Sequence, residues 1–414
     1  MSTPLITNDA AVLGILLLLL GLIFWTSSSA HPGWKRFYRF VPVLLLCYFL
    51  PGLLSTAGVF SGEESKLYFV ASRYLLPAAL VLLTLSLDLP AIRRLGGKIL
   101  ILFLTGTVGV VIGGPLAILI VSVFAPEVVS GAGPDAVWRG MTTLAGSWIG
   151  GSANQAAMKE VFEVSDPIFS AWIAVDVLVA NVWMAFLLYG AGVSKRIDAW
   201  TGADTSAIEA LRAKVEAYTA EHARIPSLPD LFAILAVGFG ITAVAHLGAD
   251  FLAPYFEKNW PILQRLSLTS SFFWLVVIAT ALGVGASLTR LRKLEGAGAS
   301  RVGSVLLYVL VATIGMKMNL LAIVDRPGLF LVGFIWIAIH ANLMLGVGYL
   351  LKAPFFFVAV GSQANIGGAA SAPVVASAFH PVLAPVGVMM AVLGYAVGTY
   401  AAWICGLLMQ SVAP

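Results

Sequence analysis

Apolar runs of near membrane-spanning length alternate with short polar stretches along almost the whole chain. About 20 apolar residues are enough for a helix to cross a bilayer. The pattern predicts two sets of six apolar elements, separated by a polar interval. The first set lies near 11–27, 39–60, 68–90, 99–125, 140–163 and 167–190. The second set lies near 229–254, 270–289, 304–324, 329–351, 354–379 and 382–409.

The fifth element of each set is interrupted by glycines and small polar residues. Residues 146–154 read Gly-Ser-Trp-Ile-Gly-Gly-Ser-Ala-Asn, and residues 361–371 read Gly-Ser-Gln-Ala-Asn-Ile-Gly-Gly-Ala-Ala-Ser. This composition favours a broken or re-entrant helix, which at membrane depth is tolerated where it lines a cavity or is packed in protein. We therefore expect these stretches to hold a ligand. The alternative is a pair of tight helix-packing faces built from small residues.

The two sets match element by element, which predicts an internal duplication. If each broken element returns to the side from which it came, five spans remain per half and the halves are inverted. The positions of the basic loops distinguish spanning from returning broken elements, because Lys and Arg accumulate on the cytoplasmic side. Under the inverted count, all the main basic clusters share that side. These clusters contain Lys35, Arg36, Arg39, Arg93, Arg94, Lys98, Lys195, Arg196, Arg290, Arg292, Lys293, Arg301 and Lys352.

Three regions follow from this division. Residues 1–190 form the first membrane repeat and residues 228–414 form the second. Between them, residues 191–227 mix charges of both signs and contain a capping-box pattern at 206–209, followed by apolar residues at helical spacing. We expect an amphipathic connecting helix on the membrane surface there.

Composition supports the membrane class. The 414 residues are 60% hydrophobic and 11% charged, and mean hydropathy is +0.96. So little charge is typical of a polytopic helical membrane protein. The net charge of +4 gives no reason to expect a nucleic-acid partner. The first apolar run carries its basic residues after it, which favours a retained helix, and an Arg/Ser-rich presequence is absent, so we expect a bacterial inner (plasma) membrane.

Asp176 is the strongest single candidate for chemistry. It lies about ten residues into the sixth element, and a carboxylate at that depth is costly unless it meets a cation, a proton or a polar cavity. A protonated, hydrogen-bonded structural aspartate is the alternative. With hydroxyl and amide oxygens of the first broken stretch, Asp176 would suit sodium. The predicted ion ligands are Asp176, Asn154, Ser152 and Ser147, with Gln155 nearby.

The predicted substrate contacts lie in both broken stretches, where half-helix N-termini attract anionic groups. They are Gly150, Gly151, Ser362, Gln363, Asn365, Gly367 and Gly368, with Ser371 nearby. Lys317 could pair with Asp176 or a substrate carboxylate, or extend outward near Asp325. His246 and His340 have no second ligand at metal spacing and are expected to be satisfied interior residues. Phosphate-binding loops, paired metal ligands and nucleophile elbows are missing from the sequence, so we expect no enzymatic activity, and no cofactor beyond a coupling ion.

These stretches, together with Asp176, resemble the family called domain of unknown function 819, found in bacteria and plastids. More remotely the chain is similar to sodium/bile-acid symporters, sodium/proton exchangers, glutamate/sodium symporters and 2-hydroxycarboxylate transporters. The resemblance implies a core domain that holds both broken elements and slides against a scaffold domain, often within a homodimer. It also implies sodium or proton coupling, with Asp176 in the position of the exchangers' acid.

The leading hypothesis is a sodium-coupled symporter of a small anionic or zwitterionic organic solute, working by alternating access. One alternative is a cation/proton antiporter in which Asp176 exchanges the two ions. Another is a membrane scaffold that transports nothing. The residues are equally compatible with export, because alternating access has no built-in direction.

Overall fold

The computed structural model describes residues 4–41, 43–62, 64–88, 92–93, 96–206, 208, 225–266, 268–317, 326–380 and 383–414. Within these ranges the chain is helical and contains no strand. Eight described helices are long and apolar enough to cross a membrane, or nine if the bent pair Ser271–Ser287 and Arg290–Ala297 is one span. The prediction of an all-α, multi-pass integral membrane protein is confirmed.

Within the described residues, twelve helices and two hairpins form the framework. The first half comprises α1 (Asp9–Ser27), α2 (Pro32–Phe40), α3 (Val43–Thr56), α4 (Leu67–Leu85), α5 (Gly97–Phe124), hairpin A (Val137–Val161), α6 (Asp166–Gly192) and α7 (Ser194–Thr201). The second half comprises α8 (Leu228–Asn259), α9 (Ser271–Ser287), α10 (Ala299–Lys317), α11 (Gly328–Leu350), hairpin B (Phe355–Ile366 and Gly368–Phe379) and α12 (Ala384–Val412).

Polar caps fix where several of the apolar helices begin. Asn8 accepts hydrogen bonds from the amides of Ala10 and Ala11 at the start of α1. Ser227 and Asp230 form a capping box at the start of α8. Each cap satisfies amides that a helix terminus otherwise leaves without partners.

Hairpin A is a helix that breaks at Gly151 and doubles back. The Arg139 guanidinium near its beginning donates to the Phe162 carbonyl just beyond its end. The Ser165 amide donates to the Pro134 carbonyl at 3.1 Å, which closes the same open end. The element therefore enters and leaves on one side, as a re-entrant hairpin.

Hairpin B has the same form. The rings of Phe356 in its first arm and Phe379 in its second have centroids 5.2 Å apart, at the open end. Nearer the tip, Gln363 Nε2 donates to Ser371 Oγ across the arms at 2.6 Å. Both broken elements predicted from the glycine pattern are thus present, and both are re-entrant.

Helix α6 shows that the two hairpins point in opposite directions. Its first residue, Asp166, adjoins the open end of hairpin A. Near its other end, Gly190 packs against the Phe355 ring of hairpin B. Twenty-four residues of helix separate Asp166 from Gly190, a rise of roughly 36 Å. The open ends of the hairpins therefore lie a membrane thickness apart. The inverted relation of the complete halves stays a prediction.

The spanning helices and hairpins pack in two groups, and each group contains three elements from the first half of the chain and three from the second. The hairpin group consists of α5, hairpin A, α6, α11, hairpin B and α12. The flanking group consists of α1, α3, α4, α8, α9 and α10. Packing within each group is far more extensive than packing between them.

Several expectations lie outside the described residues or differ from the structure. Residues 209–224, which carry most of the apolar residues at helical spacing in the expected connector, lie outside the described ranges, as does Asp325. Lys317 pairs with Asp166, with Nζ 3.1 Å from Oδ2. Its partner among the described residues is therefore not Asp176, because α10 ends beside the open end of hairpin A.

Candidate functional site

The two hairpin tips meet. Gly151 breaks hairpin A with φ 73° and ψ −173°, and Gly368 opens the second arm of hairpin B with φ 55°. A Cβ placed on Gly368 would lie 3.6 Å from the Gly151 Cα atom. Residues with side chains rarely adopt these conformations, so glycine permits both turns and their close approach.

Several small residues at the tips border accessible space, although Gly368 itself is buried. Gly151, Ser152, Gly367 and Ser371 are partly exposed. Gly150, like most residues of the arms next to the tips, is buried. Two helical arms begin at the tips, so their N-terminal amides are directed toward this space.

Asp176 lies beside hairpin A and accepts three hydrogen bonds. Ser147 Oγ lies 2.6 Å and Gln155 Nε2 lies 3.1 Å from Oδ2. Trp148 Nε1 lies 2.8 Å from Oδ1. Each of these donors is neutral, and within the described ranges no basic side chain forms an ion pair with Asp176. A carboxylate offers about four lone-pair positions, so one stays available to a cation or a proton.

Gln155 connects this cluster to the flanking group. Its Oε1 accepts a hydrogen bond from Tyr48 of α3 at 3.3 Å. Asp176, Gln155 and Tyr48 are all buried. A polar path therefore runs from the buried carboxylate across the boundary between the two groups.

Asn154, which was predicted to bind the ion beside Asp176, makes its hydrogen bonds elsewhere. Its Oδ1 accepts from Thr399 of α12 at 2.6 Å. Its Nδ2 donates to the carbonyls of Gly150 at 3.0 Å and Tyr395 at 3.4 Å. The structure brings Ser147 to Asp176, but it turns the Asn154 amide toward α12.

Asn365 makes an equivalent set of bonds in hairpin B. Its Oδ1 accepts from Thr107 of α5 at 2.8 Å. Its Nδ2 donates to the carbonyls of Gly361 at 2.9 Å and Phe103 at 3.0 Å. In both hairpins the asparagine thus binds the carbonyl four residues before it, a threonine of a neighbouring long helix, and the carbonyl four residues before that threonine. We call each set an asparagine clamp.

Ser362 belongs to a buried chain of hydrogen bonds. Trp183 Nε1 donates to Ser362 Oγ at 2.8 Å. His340 Nε2 lies 2.8 Å from the same Oγ, and His340 Nδ1 lies 3.1 Å from the Gly106 carbonyl. A neutral His340 with its proton on Nδ1 satisfies every member, and this tautomer is assigned from the pattern of bonds. The prediction of satisfied interior histidines is confirmed for His340, and His246 likewise bonds the Arg73 carbonyl.

Gln363 carries an acceptor without a partner. Its Nε2 donates to Ser371 Oγ, but Oε1 has no hydrogen-bond partner among the described residues, although Gln363 is only 1% exposed. Gly367 lies directly against this amide, where a side chain would clash. An unpaired buried acceptor costs about 1–3 kcal/mol, so a donor or a cation arriving at the tip of hairpin B would be bound favourably.

A charged cluster at the open end of hairpin A was not predicted. Glu160 pairs with Arg73 at 3.3 Å, and Asp166 pairs with Lys159 at 2.8 Å. The sequence shows these residues as scattered charges at segment ends, and their proximity depends on how hairpin A folds back. Within the described ranges no cluster of His, Cys, Asp and Glu could hold a metal ion, and both cysteines, Cys47 and Cys405, are buried and unpaired.

Comparisons with known proteins define the family. A family model described as a protein of unknown function (DUF819) matches residues 14–412. The chain is also 26% identical over 354 residues to the uncharacterized membrane protein YjcL of Bacillus subtilis (strain 168), covering 83% of this chain and 84% of that protein. The match to the family model spans nearly the entire chain, and the chain belongs to the DUF819 family of membrane proteins.

Proposed function

We propose that this protein is a secondary active transporter that couples the movement of a small anionic or zwitterionic organic solute to sodium. The observation that carries the proposal is the meeting of two oppositely directed, glycine-tipped hairpins next to a buried carboxylate that no basic side chain of the described residues neutralises. Non-helical backbone inside a membrane is expensive unless it serves a cavity or a ligand. Two such tips in contact define one central place for a ligand.

The hairpin tips offer complementary ends for a solute and an ion. The arms 152–161 and 368–379 begin at the tips, so their N-termini favour an anionic group. The arms 137–150 and 355–366 end there, and their free carbonyls favour a cation. In this proposal Asp176, with Ser147 and the nearby Ser152, holds sodium, and Gln363 with the glycine pairs contacts the solute. Asn154 and Asn365 fix the hairpins that form the site.

In this proposal, alternating access uses the boundary between the two packing groups. The hairpin group moves against the flanking group and carries the site with it. The positive-inside rule places the open end of hairpin B in the cytoplasm, because Lys98 and Lys352 meet there, with Nζ of Lys98 3.2 Å from the carbonyl of Lys352. The open end of hairpin A then faces outward. The open end of one hairpin thus faces each side of the membrane.

The test is thermal unfolding of the purified protein in sodium, potassium and choline chloride. A ligand stabilises the state that binds it by RT ln(1 + [L]/Kd), about 2.7 kcal/mol at one hundred times Kd. We expect sodium alone to raise Tm in the wild type, and Asp176→Asn to abolish the increase. Asp250→Asn, at an exposed position on α8, is the matched control and should retain it.

Two outcomes would overturn sodium binding at Asp176. One is a wild type that unfolds at the same temperature in all three salts. The other is a sodium effect that persists in Asp176→Asn. A pH-dependent change in Tm without any sodium effect, but still dependent on Asp176, would support the cation/proton antiporter instead. Uptake of labelled solutes into proteoliposomes, with and without a sodium gradient, then tests symport directly.

A further inference from the structure

A cavity of about 580 Å³ lies at the open end of hairpin A, well away from the hairpin tips. The hairpin group contributes Lys159, Glu160 and Glu163 to its wall, and the flanking group contributes residues of α4, α8 and α9. Its volume is that of a small-molecule site. By the orientation proposed above, it faces the outside, at the boundary between the two groups.

One ion pair in this wall bridges the boundary. Arg73 of α4 lies 3.3 Å from Glu160 of hairpin A, and the two side chains are 32% and 14% exposed. The guanidinium also lies over the Phe272 ring of α9, 4.5 Å from its centroid. The pair is therefore accessible from the cavity, yet each partner is held by surrounding structure.

Both partners keep a second contact if the pair opens. Tyr68 donates a hydrogen bond to Glu160, so this carboxylate stays bound without Arg73. Arg73 belongs to a π-helical turn, Ala71–Leu75, and its carbonyl lies 2.8 Å from His246 Nε2. Such π turns are often found at functional sites. The Arg73 backbone is thus anchored independently of the ion pair.

We infer that the cavity is an outer binding site for a zwitterionic solute of the α-amino acid type. The solute carboxylate binds Arg73, and the solute ammonium group binds Glu160. Removing one member of a partly buried pair leaves the other charge uncompensated, which is strongly unfavourable. A simple anion that bound Arg73 would leave the charge of Glu160 uncompensated. A simple cation that bound Glu160 would leave the charge of Arg73 uncompensated. A solute with both charges replaces each partner at once, and Glu163 adds a second carboxylate for the ammonium group.

This inference rests on the proposed transport function and narrows its solute to zwitterions. Binding at this site also removes an ion pair between the hairpin group and the flanking group. Occupancy from the outside would therefore loosen the contact that holds hairpin A against α4, before the solute reaches the hairpin tips.

The test is equilibrium binding to the full chain in choline buffer, so that no sodium site is involved. The probe is an equimolar mixture of neutral L-amino acids, compared with methylammonium acetate, which brings the same two charged groups on separate molecules. We expect the amino acids to raise Tm and the salt at equal concentration to leave it unchanged, because linked groups bind with a high effective concentration. Arg73→Gln and Glu160→Gln should each weaken binding by about tenfold or more.

Arg290→Gln is the matched control, since Arg290 is exposed and lies beyond the far end of α9 from the cavity, and it should bind like the wild type. If Arg73→Gln does not fold, Arg73→Lys retains the charge and should bind roughly tenfold more weakly, because lysine lacks the bidentate fork. An equal response to methylammonium acetate, or an amino-acid response that survives in the Arg73 and Glu160 variants, would overturn the inference. Asp176→Asn should retain amino-acid binding here, which separates failure of this site from failure of sodium coupling.

Discussion

Asn154 and Asn365 make equivalent hydrogen bonds in the two hairpins. Each amide joins its own hairpin arm to a threonine and a carbonyl of a long neighbouring helix. Both asparagines are fully buried, where a lost hydrogen bond leaves groups that water cannot reach. At the residue scale, the clamps account for how hairpins with such small side chains keep a defined position.

Replacing Asn365 by alanine should therefore destabilise the protein. The change leaves Thr107 and two carbonyls with one bond fewer in the interior, at about 1–3 kcal/mol for each buried group that stays unpaired. The measurement is thermal unfolding in detergent. Asn342→Ala is the control, because Asn342 is exposed on α11 and bonds only its own helix, at the Ala338 carbonyl, and it should change stability by less than about 0.5 kcal/mol. Equal effects of the two changes would contradict the clamp.

Side-chain partners mark the limit of what the sequence predicts at this scale. Asp176 stands out because an intramembrane carboxylate is rare, and Ser147 does meet it. Asn154 is, like Ser147, a small polar residue in the first broken stretch, yet its side chain bonds to α12. Which way an amide turns depends on the neighbouring helix, and no local pattern contains that information.

The hairpins are the elements on which the proposed site depends, and each turns at a glycine with positive φ. Gly151, with φ 73° and ψ −173°, lies in a region of backbone conformation that is essentially restricted to glycine. Apolar periodicity and the glycine pairs predict both broken elements, because such turns need residues without side chains. Hydropathy alone cannot decide whether an element crosses or returns, since both have the same length and composition, and the contacts at the open ends decide it.

Gly151→Ala should cost about 1–3 kcal/mol of stability through backbone strain alone. The space around this position admits a methyl group, since the nearest atom to an added Cβ is Tyr395 Cε1 at 3.4 Å. Gly21→Ala provides the comparison, because Gly21 lies within α1 and has nothing within 4 Å of an added Cβ. There alanine should stabilise the helix by about 0.5–1 kcal/mol. Opposite signs in thermal unfolding are expected, and a neutral Gly151→Ala would show that the turn is not under this constraint.

At the scale of the whole molecule, the two packing groups determine which contacts would break if one group moved against the other. The groups draw equally on both halves of the chain, as the predicted internal repeat leads us to expect, and in the proposed mechanism a movement between them exposes the hairpin tips to either side. The sequence predicts a core and a scaffold only through resemblance to transporters. The boundary itself depends on long-range packing, and it runs through ion pairs such as Arg73–Glu160 that join distant parts of the chain.

A cross-link across this boundary should stop transport, whereas one within the flanking group should not. The test pair is Arg73→Cys with Glu160→Cys, at a contact of 3.3 Å between the groups. The matched pair is Asp88→Cys with Arg292→Cys, at a contact of 2.8 Å that lies within the flanking group. A short bifunctional thiol reagent joins each pair in proteoliposomes, and sodium-driven solute uptake is then measured.

Cross-linked protein is compared with unmodified protein of the same double variant, because losing either ion pair alters stability on its own. The first double variant should take up solute more weakly than the wild type even before cross-linking, because Arg73 and Glu160 line the proposed outer site. Joining this pair should abolish most of the uptake that remains, and reduction of a cleavable cross-link should restore it to that level. Joining the second pair should leave uptake near the level before cross-linking. Cys47 and Cys405 are buried. Variants that carry only one of the two introduced cysteines show whether the reagent also reacts with Cys47 or Cys405. Undiminished uptake with hairpin A tied to α4 would mean that the two groups do not move against each other at this boundary.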